Sequence, residues 1–92
     1  MPKVLNKYKD YIPPDAVYIG RPSKWGNPFI VGYDGDREEV IQRYYQWIRT
    51  QPKLFSDIAY ELLGKDLVCF CAPKLCHGNV LLELANPDYV VL

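Results

Sequence analysis

Apolar residues at positions 40, 41, 44, 45, 47 and 48 recur at steps of three and four, the period of a helix that buries one face. Asp36-Arg37-Glu38-Glu39 stands just before them, an N-cap acid followed three residues later by a glutamate. The pattern predicts an amphipathic helix that ends near Gln51. Pro52 suits the first turn of a second helix, whose apolar positions Leu54, Phe55, Ile58, Ala59, Leu62 and Leu63 repeat in the same way, with Gly64 as its stop.

Elsewhere the apolar runs are short and continuous. Val4-Leu5 fits an edge strand, and Val17-Tyr18-Ile19 fits a second strand beyond Pro13-Pro14-Asp15. Ile30-Val31 extends a strand before Gly32-Tyr33-Asp34-Gly35 turns the chain. Leu67-Val68-Cys69-Phe70-Cys71 reads as a central strand covered on both faces. Val80 to Ala85 reads as a short helix halted by Asn86-Pro87, and Tyr89 to Leu92 as a returning strand. The sum is a single α/β domain over residues 1–92, a short mixed sheet flanked by about three helices.

Length permits one small core and no second catalytic domain: the chain has 92 residues, 49% of them hydrophobic. Eleven basic and eleven acidic side chains cancel, which argues against duplex nucleic acid or an anionic membrane as partner. The start of the chain lacks the apolar run of a signal peptide, so the expected setting is the cytoplasm. All three cysteines fall within residues 69–76, a poor framework for disulfides and a natural one for reduced thiols.

Two loops hold the unusual chemistry. In the first, residues 20–29, Gly20 and Gly26 allow close approach, Arg21 and Lys24 are cations with no acid among residues 16–33, and Trp25 offers a flat face. With Asn27 to fix a polar edge, this is a kit for a phosphorylated planar ligand. The alternative has Trp25 and Phe29 plugging the core while Arg21 pairs with Asp34 or Asp36.

The second loop, residues 71–79, joins the central strand to a helix, the place where ligands of open α/β sheets collect. Its Cys76, His77, Gly78 and Asn79 amides are candidates for an anion nest, with Gly78 letting a ligand approach and Lys74 nearby. Alternatively, His77 or Asn79 caps the helix. Cys69, Cys71, Cys76 and His77 are zinc-type ligands, but Cys69 and Cys71 on one face of an extended strand would have Cα atoms roughly 6.5–7 Å apart, wide for one tetrahedral ion. Zinc is therefore disfavoured. Cys71 or Cys76 as nucleophile with His77 as base or acid is the third reading.

Tyr18-Ile19-Gly20-Arg21-Pro22, Trp25-Gly26-Asn27-Pro28-Phe29, Asp34-Gly35-Asp36-Arg37-Glu38-Glu39, Cys69-Phe70-Cys71-Ala72-Pro73 and Cys76-His77-Gly78-Asn79 together resemble the small bacterial and bacteriophage proteins of domain of unknown function family 4326. The resemblance runs over roughly residues 4–86. Phe70 stands where the family usually has tryptophan, and Asn79 where aspartate is frequent. The family brings no established reaction, so the resemblance implies shared architecture and a shared site.

The leading expectation is a pocket between the two loops that binds a nucleotide or nucleotide-derived phosphorylated small molecule: Arg21 and Lys24 on phosphate, Trp25 stacked, and the Cys76–Asn79 amides completing the site. A cysteine- and histidine-dependent hydrolase or transferase acting on such a ligand, and a zinc-stabilised interaction module, are the alternatives. A role in interfering with a host during phage infection is compatible with such a binding domain. Tyr33, Tyr44, Tyr45 and Trp47 around one helix offer an aromatic face to a second copy, unless they pack in the core.

Overall fold

In the computed structural model, which describes residues 2–72 and 74–86, the apolar run forms the middle strand β3 (Leu67–Cys69) of a three-stranded sheet. Its three residues are all buried, as a strand covered on both faces requires. β1 (Val4–Asn6) and β2 (Val17–Tyr18) flank it, with Val4 and Val17 both opposite Leu67. Both pairings are parallel, which sharpens the expectation of a mixed sheet; the returning strand predicted over residues 89–92 lies outside the described residues. Parallel strands deliver their carboxyl ends to one edge. Residues 20 and 70 therefore leave the sheet side by side, which brings the two loops together.

Two helices carry the chain from β2 to β3. α1 (Arg37–Ile48) opens with the predicted reciprocal cap: Asp36 accepts the Glu39 amide at 2.9 Å, and Glu39 accepts the Asp36 amide at 3.1 Å. Val40, Tyr44 and Ile48 are its buried stripe. α2 (Pro52–Leu62) starts at proline and stops before Gly64, whose φ of +73° is left-handed. Only Ile58 and Leu62 of its apolar positions are fully buried; Phe55 and Leu63 are exposed.

α3 (His77–Ala85) begins three residues before the predicted start, because Cys76 serves as N-cap. It packs on α1, α2, β1 and β3, and so forms the centre of the core with Ile19, Trp25, Tyr44, Leu62 and Leu67. Among the described residues no helix is long and apolar enough to cross a membrane.

One expected strand is corrected. Ile30-Val31 form no strand: the amides of Tyr33 and Asp34 fold back to the Ile30 carbonyl, the Asp34 carboxylate accepts the Ile30 amide at 2.8 Å, and both side chains are exposed. Of the four aromatics named around one helix, Tyr44 and Trp47 touch, with ring centroids 5.7 Å apart, and Tyr45 and Trp47 pack partly against the core. Tyr44 is core, whereas Tyr33 stands exposed in the turn before α1.

Candidate functional site

The first loop folds around Arg21. Its Nε donates to the Asn27 carbonyl at 2.9 Å and its Nη2 to the Phe29 carbonyl at 3.2 Å, so the guanidinium laces the loop into a ring. Gly26 makes room for this, since a Cβ there would lie 3.1 Å from the Arg21 Cγ. The Asn27 side chain donates to the Val40 carbonyl and accepts the Phe29 amide, fastening the loop to α1. Asp34 and Asp36 serve as local caps and leave Arg21 without them.

Trp25 points the other way. Its side chain is 2% exposed, inside the core, and the Tyr44 hydroxyl donates to its carbonyl at 2.7 Å. The indole is thus a structural plug, and its assignment as a stacking surface is corrected. Lys24 also turns away, to Asp57 and Glu61 of α2, and these hydrogen-bonded acids raise its pKa. It contributes nothing to the loop junction.

The second loop closes on its sulfurs. Cys76 Sγ accepts the Gly78 amide at 3.3 Å, Asn79 Oδ1 accepts the Cys76 amide at 3.1 Å, and the Asn79 amide returns to the Cys76 carbonyl. Asn79 is thereby the capping residue of one sequence alternative. Three of the four amides expected to form an anion nest at residues 76–79 are thus already bonded. Gly78 does not open toward a ligand either. A Cβ there would sit 2.8 Å from Ile19 Cδ1 and 2.9 Å from Val4 Cγ2, so glycine lets α3 press onto the sheet.

Cys69 and Cys71 approach because β3 ends at Cys69 and the chain turns at Phe70. The Cys71 amide then donates back to Cys69 Sγ at 3.3 Å. Cys69 Sγ lies 3.4 Å from Cys76 Sγ, and all three sulfurs fall within 4.8 Å of one another. The sulfurs are therefore close enough to share an ion, which the expected spacing along an extended strand had argued against. These three cysteines could form a metal site. His77 stands outside the cluster: Nε2 lies 2.8 Å from the Ile19 carbonyl, which can only accept, so this nitrogen carries the proton.

The hydrogen bond with Cys76 holds the Cys69 thiol below the usual range, against burial and with help from the Cys71 amide. Cys76 is held far up by that same bond and by burial. Burial, aided by the Arg21 charge, lowers the pKa of His77 despite its carbonyl partner, so the ring is neutral at pH 7.

Where the loops meet there is a cavity of about 290 Å³. Gly20, Arg21, Asn27 and Phe29 line it from the first loop, and Cys69, Phe70, Cys71, Cys76 and His77 from the second. Tyr18, Val31, Val40 and Ile41 add apolar wall, and Arg37 adds a second guanidinium. Arg37 donates to the Leu75 carbonyl at 3.1 Å, and neither arginine has a carboxylate partner among the described residues.

Of the expected site residues, Gly20, Arg21, Asn27, Cys76 and His77 reach this cavity, together with the nucleophile candidate Cys71. Lys24, Trp25, Gly26, Gly78 and Asn79 do not line it. Arg37, Phe70 and Tyr18 were missed. Arg37 was hidden inside the helix-cap motif, and the aromatics carried no periodic signal beyond strand propensity. Asn6 was missed too: buried at the end of β1, it donates to the Phe70 and Ala72 carbonyls and so fixes the start of the thiol loop.

Comparison with known proteins places the chain among viral relatives. It is 33% identical to Uncharacterized protein R718 of Acanthamoeba polyphaga mimivirus over 100 residues, covering 89% of this chain and 75% of that protein. It is 35% identical over 88 residues to the Uncharacterized 12.4 kDa protein in nrdA-td intergenic region of Enterobacteria phage T4, covering 91% of this chain and 77% of that one. No solved structure matches it. Residues 4–87, which include both loops and all six elements, match the family described as Domain of unknown function (DUF4326), and the chain belongs to that family.

Proposed function

We propose that the protein binds a nucleotide or nucleotide-derived phosphorylated small molecule in the cavity between the two loops. The observation that carries this reading is the pair of guanidiniums, Arg21 and Arg37, both lining an otherwise largely apolar and aromatic cavity with no carboxylate partner among the described residues. Guanidiniums match phosphate oxygens in geometry and stay charged at every physiological pH. Phe29, Phe70 and Tyr18 take over the flat apolar contact first assigned to Trp25. A cavity of about 290 Å³ suits a compact ligand at the small end of the usual range. Cytoplasm, with its nucleotide pool and reduced thiols, fits this reading, and a zero net charge fits a small ligand better than duplex nucleic acid.

A thiol-based enzyme acting on the same ligand finds less support. The Cys76 sulfur is engaged with Cys69 and Gly78, and the His77 Nε2 with Ile19, so no cysteine–histidine pair is formed among the described residues.

Isothermal titration against a panel of nucleoside mono-, di- and triphosphates tests the proposal. Arg21→Ala and Arg37→Ala should each weaken binding about tenfold or more, the loss of one charge-assisted contact. Lys24→Ala should bind like wild type. Absence of binding across the panel, or undiminished binding by both arginine variants, contradicts the proposal.

A further inference from the structure

We propose that Cys69, Cys71 and Cys76 form a three-thiolate site for zinc(II), with its fourth coordination position opening into the cavity between the loops. The sulfurs are already gathered: all lie within 4.8 Å of one another, and the Cys69–Cys76 pair is at 3.4 Å. A tetrahedral zinc with bonds of about 2.3 Å holds its sulfurs roughly 3.8 Å apart. Shifts of a few tenths of an ångström to about one ångström therefore convert the cluster into a coordination set.

A second observation is independent of that proximity. Two backbone amides donate to sulfur, Cys71 to Cys69 and Gly78 to Cys76, each at 3.3 Å and each from the second residue after its acceptor. Such bonds stabilise a thiolate and aim its lone pairs, as outer-shell partners of metal ligands do. The ligands also come from two rigid elements, Cys69 from β3 and Cys76 from the cap of α3, with the half-buried Cys71 on the turn between them.

Charge favours the same ion. Three thiolates and one zinc leave a single negative charge, and Arg21 and Arg37 line the same cavity to balance it. All three cysteines line the cavity, while His77 is held by the Ile19 carbonyl and stands outside the sulfur cluster. Among the described residues no fourth ligand joins the cluster, so the fourth position falls to a water or to a cavity ligand. Three protein ligands and one exchangeable position is the pattern of a reactive zinc centre; a purely structural site is closed by a fourth protein ligand. Soft sulfur donors select zinc over magnesium or calcium.

The full chain, reduced and stripped of metal without oxygen, is titrated with cobalt(II) as a spectroscopic substitute and then with zinc(II). The expected result is a near-ultraviolet thiolate-to-cobalt charge-transfer band that saturates at one equivalent, with intense visible bands of tetrahedral cobalt, both bleached by zinc. Cys71→Ser, whose side chain is the most accessible of the three, should keep the wild-type circular dichroism and lose about tenfold or more in zinc affinity against a chromophoric chelator. Imidazole should alter the visible bands by entering the open position. No charge-transfer band in wild type overturns the site, whatever the variants do. Wild-type affinity in both Cys71→Ser and Cys76→Ser overturns it as well, and visible bands indifferent to imidazole overturn the open position. Nucleotide is absent throughout, so this result and the nucleotide titration fail or succeed separately.

Discussion

His77 Nε2 lies 2.8 Å from the carbonyl oxygen of Ile19, joining the first turn of α3 to the residue that follows β2. The bond fixes the tautomer, with the proton on Nε2, and crosses 58 positions of sequence. A histidine that looks catalytic by type is thus a clamp between the walls of the cavity. His77→Ala should destabilise the fold by about 1–3 kcal/mol, because a buried carbonyl loses its donor. Urea denaturation of wild type and variant measures it; equal midpoints would show that the clamp carries no stability.

Gly78 should gain no stability from a side chain. Alanine there improves helix propensity by about 1 kcal/mol, but its Cβ would meet Ile19 Cδ1 at 2.8 Å and Val4 Cγ2 at 2.9 Å. Overpacking of that kind costs about 1–3 kcal/mol, so Gly78→Ala should be neutral to clearly destabilised, and never stabilised. Chemical denaturation decides the sign. A more stable variant would mean that α3 does not press on the sheet as described.

These two positions show what the sequence could and could not disclose. Helices α1 and α2 were legible because each has a 3.6-residue period and a local start signal. The central strand and the meeting of the loops followed from short apolar runs and one rule of α/β sheets. Side-chain direction within the loops was not legible. Trp25 and Lys24 looked like a ligand's stacking face and phosphate contact, yet core burial claimed the indole and α2 claimed the ammonium. Arg37 serves the cavity from inside a motif already explained by capping. Likewise the cysteine spacing misled because strand geometry stops at Cys69, one residue before the turn that folds Cys71 back.

Tyr44 makes stability depend on alkaline pH. Its hydroxyl is buried against the Trp25 carbonyl, and burial raises its pKa well above the ordinary value. The folded state therefore keeps a proton that the unfolded state releases above about pH 10. Stability contributed this way is complete below that pH and falls as pH rises, by about 1.4 kcal/mol per unit. Tyr44→Phe removes this component, so its unfolding free energy should fall less steeply than that of wild type between pH 10 and 11. Parallel profiles would contradict the buried, protonated phenol.

The central claim is that the cavity between the loops is the binding site, and that Lys24 and Trp25 stand apart from it. Nuclear magnetic resonance of the isotopically labelled protein, titrated with the tightest-binding nucleotide, tests this most directly. The account predicts shift changes at the Arg21 and Arg37 side chains, the Phe29 and Phe70 rings and His77, with the Trp25 indole and Lys24 unmoved. Changes centred on Lys24, Trp25 and α2, or no changes with any nucleotide, would contradict it.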